Sequence, residues 1–160
     1  MRIAHPFEPI FDEESQVLIL GTFPSIRSRE SGFYYGHPQN RFWKVMAYIT
    51  KTDQIPQTIS SKKHMLIKNG IALWDVLQSC DIEGSSDNNI RNPTPTDLSI
   101  IFNETNIKYI YTNGLQSYQF FNKYHDKSYN GKLIELPSTS PANARYTIEQ
   151  LVTIWSQIVS

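Results

Sequence analysis

Four short segments constrain the fold of this chain more than anything else in it. Val17-Leu18-Ile19-Leu20 is apolar throughout and stops at Gly21. Ile71-Ala72-Leu73-Trp74 stops at Asp75, the segment from Ile107 to Thr112 stops at Asn113-Gly114, and the one from Lys132 to Leu136 stops at Pro137. An apolar run without alternation suits a strand buried on both faces, as in a parallel sheet. Between these runs the apolar period lengthens to that of a helix. Phe42, Val45, Met46 and Ile49 recur at helical spacing, with Asn40 where an N-cap belongs. Pro56 and Thr58 open a second helical stretch that Asn69-Gly70 closes. Thr96 to Phe102 reads as a short helix and Leu115 to Tyr124 as a longer one. Thr147, with Gln150 as its capping-box partner, begins the last, whose apolar face is Ile148, Leu151, Val152, Trp155, Ile158 and Val159. Strand and helix alternate four times. That predicts an α/β fold, a three-layer α/β/α sandwich around a four-stranded parallel sheet with right-handed crossovers. Residues before Gln16 read as an entry arm covering an edge. Ser79 to Pro95, rich in Gly, Ser, Asn and Pro, reads as a long loop. No linker or repeat interrupts the pattern, so residues 1–160 are expected to form one domain.

Several function classes fall away. The formal net charge is zero, unlike a typical dedicated nucleic-acid binder. Location matters more than the total: Arg27, Arg29, Arg41 and Lys44 face only Glu30 in the stretch from Gly21 to Lys44. Cys80 is the single cysteine, which excludes an intrachain disulfide and a cysteine-rich zinc site, and it reads as a packing residue. No apolar run suits a bilayer and the first residues lack a signal-peptide core, so a cytoplasmic protein with no membrane contact is expected. His5, His37, His64 and His125 show no metal spacing. No GxGxxG or GxxxxGK follows a strand, and neither Ser25 nor Ser138 has a nucleophile-elbow context. The expectation from these absences is no metal site and no nucleotide cofactor.

In an open parallel sheet, ligands bind beyond the carboxyl ends of the strands. Here those ends read Gly21-Thr22-Phe23-Pro24-Ser25, Trp74-Asp75, Asn113-Gly114 and Pro137-Ser138-Thr139-Ser140-Pro141. Taken singly, Asp75 and Asn113 fit plain turns. Four such ends on one rim point to a site.

GTFPS, YYGHPQNRFWKVM and LPSTSPANA together resemble the uracil-DNA glycosylase superfamily, and within it most closely the hypoxanthine (deoxyinosine) DNA glycosylase family. The mismatch-specific uracil and thymine glycosylases share the HPxNRFWKV part. The resemblance implies a uracil-DNA glycosylase-like domain. It also implies hydrolysis of the N-glycosidic bond of a flipped, deaminated base in DNA, without metal or cofactor, leaving an abasic site. The chain departs from the wider pattern. Mismatch-type relatives carry an Asn, and uracil-specific ones an Asp, where this chain has Phe23; the latter also carry a His where it has Leu136. In the hypoxanthine family the catalytic part falls to the Asn of HPxN, here Asn40, with Asn113 as the second.

The roles that follow are these. Asn40 holds a water through its carbonyl or donates from its amide, and doubles as a helix cap. Tyr35 stacks on the flipped base, and Gly21 and Phe23 border it. Asp75 stands where uracil enzymes use an Asn and reads a purine edge. Ser25, Ser138 and Ser140 bind backbone phosphate, the last two through main-chain N–H groups. Pro141 to Arg145 supply the wedge, with Arg145 on phosphate; His37 and Arg41 are further phosphate candidates. The expected enzyme is a monomeric, monofunctional deoxyinosine glycosylase of base excision repair, nucleoid-associated when on DNA. Two alternatives stand beside it: a mismatch-type uracil or thymine glycosylase, and a catalytically weak module that binds damaged DNA.

Overall fold

The computed structural model describes residues 1–82, 90–125 and 131–159. In chain order the strands are β1 (Arg2–Ala4), β2 (Val17–Gly21), β3 (Ile71–Asp75), β4 (Leu77–Ile82), β5 (Ile90–Pro95), β6 (Tyr109–Asn113) and β7 (Lys132–Leu136). The helices are α1 (Ile26–Ser31), α2 (Phe42–Ile49), α3 (Ile59–Lys68), α4 (Ser99–Phe102), α5 (Leu115–Tyr124) and α6 (Ile148–Trp155), followed by a 3-10 turn at Ser156–Val159.

The four apolar runs form one parallel sheet in the order β3-β2-β6-β7. Every residue of β2 and β3 is buried, as strands covered on both faces require. The chain leaves β2 towards β3 on one side and later crosses to β6 on the other. The strand order therefore reverses at β2, and the crevice between the carboxyl ends of β2 and β6 is the switch point. Helix ends follow local chemistry. Thr58 and Thr147 each close a capping box, with Ser61 and Gln150. Among the described residues, 31 buried apolar side chains form one continuous cluster, with buried Cys80 and Ile82 outside it. Within it, Phe42 on α2 meets Trp155 on α6 edge to face, ring centroids 5.9 Å apart.

Four expectations need correcting. The segment from Ser79 to Pro95 is not a loop where it is described: β4 and β5 pair antiparallel, and β1 joins β4 to make a second, three-stranded sheet. Residues 83–89 of that expected loop lie outside the described residues. Arg2 fastens this sheet, donating from its guanidinium to Ser79 Oγ (3.0 Å) and Thr94 Oγ1 (2.6 Å). Secondly, the stretch between β2 and α2, which the sequence suggests is all loop, contains α1, capped by Ser25 and ended by Gly32 in the left-handed conformation (φ 86°). Thirdly, the cap position of α2 is Arg41, not Asn40. Asn40 still serves the helix end, its Oδ1 accepting from the Phe42 N–H at 2.9 Å. Finally, β6 begins at Tyr109 rather than Ile107, and α4 is only Ser99–Phe102. Among the described residues no helix is long and apolar enough to cross a membrane.

Candidate functional site

The carboxyl ends of β2, β3, β6 and β7 open onto one cavity of about 220 Å³. Clefts for drug-sized ligands run roughly 300–1,000 Å³, so this one suits a single compact group. The first loop contributes Gly21, Phe23, Ser25, Tyr35 and Asn40 to its wall. The other strand ends contribute Asp75, Asn113, Ser138 and Ser140. Arg145 does not line the cavity; it is exposed further along the second loop.

A residue the sequence reading passed over holds the two asparagines together. Thr139 is fully buried between Ser138 and Ser140. Its hydroxyl donates to Asn40 Oδ1 (2.9 Å) and accepts from Asn113 Nδ2 (3.0 Å), while its N–H donates to Asn113 Oδ1 (3.0 Å). Backbone N–H donors fix which end of each amide is oxygen. Asn40 Oδ1 thus receives two bonds, from Phe42 N–H and Thr139 Oγ1. An amide oxygen has two lone pairs. The expected water-holding carbonyl is therefore already engaged, and Asn40 offers the cavity its Nδ2 donors instead.

The cavity holds a carboxylate. Asp75 is 3% exposed and sits beside Gly21 in the β2–β3 register. Its Oδ2 lies 2.8 Å from His5 Nε2, in the entry arm. Its Oδ1 and the Tyr35 hydroxyl converge above the Gly21 Cα: a Cβ built there would lie 2.5 Å from the one and 2.7 Å from the other. Glycine is required at this position because two polar groups occupy the space a side chain would take.

Tyr35 lines the cavity and is anchored from one side. One face of its ring is stacked on Phe42, centroids 4.0 Å apart and 20° between planes, and its backbone is left-handed (φ 54°). A non-glycine residue held there costs about 1–3 kcal/mol and persists only where its surroundings enforce it. Its hydroxyl is buried and faces the Asn113 side chain without closing a well-formed hydrogen bond. Burial, reinforced by the Asp75 charge, drives its pKa far above the usual phenol range, and Asn113 opposes this only weakly. Tyr35 is thus a protonated donor at the pocket. Tyr34, raised by burial and then by Asp75, donates its hydroxyl to the Glu8 carbonyl at 2.7 Å.

The phosphate contacts also change character. Arg41 donates to four carbonyls of the second loop: Thr139 (3.4 Å), Tyr146 (2.5 Å), Ser140 (2.9 Å) and Asn143 (2.9 Å). It is a latch between the loops, not a free phosphate ligand. The Ser140 N–H donates to Ser138 Oγ (3.1 Å) and the Ala142 N–H to Ser140 Oγ (3.2 Å). The loop's own serines satisfy these amides, so Ser138 and Ser140 have hydroxyl hydrogens to offer, not the Ser140 main chain. Ser25 accepts from the Ser28 N–H (3.1 Å) as the α1 cap while lining the cavity. His37 Nδ1 accepts from the Gln39 N–H (3.0 Å), and His37 is outside the cavity wall. Among the described residues no group of three or more His, Cys, Asp or Glu could hold a metal ion.

A parallel sheet with a small polar pocket at its switch point, lined by Asn40 of one loop and Asn113 at a strand end, defines an α/β domain of the glycosylase type. The chain belongs to the uracil DNA glycosylase superfamily, whose family model matches residues 8–158. It is 33% identical over 140 residues to a hypoxanthine DNA glycosylase of Methanosarcina barkeri, covering 87% of each chain. It is 31% identical over 146 residues to a hypoxanthine DNA glycosylase of Methanosarcina acetivorans, covering 91% of each. Its fold matches a solution structure of a candidate uracil DNA glycosylase from Methanosarcina acetivorans at a TM-score of 0.84. That match has 28% identity and covers 99% of this chain and 97% of the other.

Proposed function

We propose that this chain is a DNA glycosylase that hydrolyses the N-glycosidic bond of a deaminated base flipped into the pocket, with hypoxanthine as its principal substrate. The observation that carries this reading is the pairing of Asn40 and Asn113 through Thr139 at the switch point, in a chain a third identical to a protein named hypoxanthine DNA glycosylase. Glycosidic cleavage passes through a cation-like sugar and a departing base that takes up negative charge. Donors aimed at that base before the reaction lower the barrier without reorganising. The pocket supplies such donors in Asn40 Nδ2, the second Asn113 amide hydrogen and the Tyr35 hydroxyl. Hypoxanthine spreads the charge over two fused rings, so it needs less assistance than a poorer leaving group. Asp75 adds an acceptor for the edge of the base.

Serine hydroxyls at Ser138 and Ser140, with the exposed Arg27 and Arg145, would grip backbone phosphate independently of sequence, whereas the Ser25 hydroxyl donates to Ser28 Oγ at 3.1 Å and shapes the loop instead. One chain completes the pocket, which fits a monomer comprising a single domain. A uracil substrate is the second reading, favoured by the likeness in fold to a candidate uracil DNA glycosylase. The test is an excision panel of oligonucleotides carrying deoxyinosine, deoxyuridine or deoxyxanthosine, each scored for abasic product. Deoxyinosine should give the fastest cleavage. DNA binding with no abasic product from any of the three would overturn the enzyme reading, and deoxyuridine cleaved fastest would replace the substrate. Asn40→Ala should lower excision of deoxyinosine; an unchanged rate removes Asn40 from the mechanism.

A further inference from the structure

The entry arm places a buried histidine behind the pocket. His5 is almost wholly enclosed, its side chain 5% exposed. Phe7, Phe23 and Tyr34 surround its ring with centroids 5.8 Å away, the first two edge to face at 90° and Tyr34 tilted by 50°. Its main chain is pinned too, the His5 N–H donating to the Gln78 carbonyl at 2.7 Å. Its two ring nitrogens have settled roles. Nδ1 accepts from the Phe7 N–H at 3.1 Å, so it carries no proton. The proton of the ring is therefore on Nε2, and Nε2 donates to Asp75 Oδ2 at 2.8 Å. With Oδ2 an acceptor and held from behind, Asp75 can turn only Oδ1 forward, and that oxygen makes no hydrogen bond among the described residues. Beside it above Gly21 lies the Tyr35 hydroxyl, a buried donor that closes no hydrogen bond among the described residues.

Side by side, these two atoms have a polarity. Tyr35 Oη offers a hydrogen and Asp75 Oδ1 offers a lone pair. A deaminated base presents the complement, a ring carbonyl next to a ring N–H. The parent amino base presents the reverse, an amino group next to a bare ring nitrogen. At one orientation of the flipped base, the amino form sets donor against donor and lone pair against carboxylate. A site built to hydrogen-bond a group discriminates strongly against the analogue that lacks it, because its own polar atoms are left unpaired.

We infer that His5 is a positioning residue for base selection: it fixes the Asp75 carboxylate with Oδ1 forward beside the Tyr35 hydroxyl, so that the pocket accepts the lactam edge of a deaminated base and refuses adenine. This rests on the glycosylase reading for its substrate but not for its readout. His5→Phe keeps an aromatic ring among Phe7, Phe23 and Tyr34 and removes the donor. His5→Gln restores an N–H donor without the ring.

The experiment measures equilibrium binding of wild type and both variants to matched duplexes carrying deoxyinosine or deoxyadenosine opposite the same base, alongside single-turnover excision. Wild type should prefer deoxyinosine. His5→Phe should lose roughly tenfold or more of that preference, with binding to undamaged duplex unchanged, and His5→Gln should recover most of it. A His5→Phe variant that melts like wild type and keeps the full preference would overturn the inference. So would equal losses in His5→Phe and His5→Gln, since then the ring and not the donor matters. Should wild type bind selectively yet excise nothing, the enzyme reading falls while the selection by His5 and Asp75 is still decided by the binding arm.

Discussion

Thr139→Val isolates the bridge between the two asparagines. The substitution keeps the branched shape and removes one hydroxyl, which donates to Asn40 Oδ1 at 2.9 Å and accepts from Asn113 Nδ2 at 3.0 Å. Each bond of this kind contributes about 0.5–1.5 kcal/mol net, so the two together are worth about 1–3 kcal/mol. The loss of stability should sit at the lower end. Asn40 Oδ1 keeps the Phe42 N–H, Asn113 Oδ1 keeps the Thr139 N–H, and water reaches the cavity. The effect on rate should be larger than that on folding. Both amides become free to rotate about a single remaining anchor, and donors that must be aimed in advance lose their aim. A drop of about 10- to 100-fold in single-turnover excision of deoxyinosine corresponds to about 1.4–2.7 kcal/mol of lost transition-state stabilisation. Thr139→Ser, which keeps the hydroxyl, is the control. The reasoning fails if folded Thr139→Val excises at the wild-type rate, or if Thr139→Ser loses as much as Thr139→Val.

Other outcomes follow from the same geometry. Arg41→Ala removes donors to four carbonyls and should cost about 2–4 kcal/mol, discounted for its partial exposure, with faster proteolysis between Ser138 and Tyr146; thermal denaturation and limited proteolysis check both. Gly21→Ala places a methyl group 2.5 Å from Asp75 Oδ1 and 2.7 Å from Tyr35 Oη. Because it displaces side-chain ends and not backbone, excision should fall by more than the melting temperature suggests; intact excision with a lowered melting temperature would contradict the placement. His125 supplies a pH dependence. Its Nε2–H donates to the Val76 carbonyl at 2.9 Å, and burial lowers its pKa against that bond's opposite pull. The folded state therefore takes up a proton less readily than the unfolded chain, whose histidine titrates near 6.5. The contribution is fully present above about pH 6.5 and is lost as pH falls below it. Melting temperature should decline from pH 7 to 5 more steeply in wild type than in His125→Gln.

How much of this was legible in the sequence depended on whether the signal was local. β3 and β7 stand within a residue of where their apolar runs place them, and Thr58 and Thr147 cap their helices as their spacing implies. The second sheet was not legible. β4 reads LQSCDI, a polar segment with register irregularities, and its partner β1 lies more than seventy residues away. The six residues of α1 carry no apolar period, and only Ser25 and Gly32 mark its ends. At the site, the strand-end positions were readable because topology alone gathers them. Thr139 was not, since a threonine between two serines looks like any turn residue, and its importance lies in burial and in partners 26 and 99 positions away. His5 was missed for the same reason, with Asp75 seventy positions on. Arg41 in a polar loop looks like a phosphate ligand until its carbonyl partners are seen.

The Arg41 latch has a consequence for the timing of entropy loss. It sits at the start of α2 and grips residues 139 to 146, while α2 is itself packed on α6 through Phe42 and Trp155. The two walls of the pocket, a hundred positions apart in the chain, therefore behave as one rigid body. The freedom they lose is surrendered during folding and not at the encounter with DNA. Preorganised walls of this kind add nothing to the ordering cost of binding. The ordering cost of recognition is then expected to fall on the nucleic acid, in taking a nucleotide out of its stack.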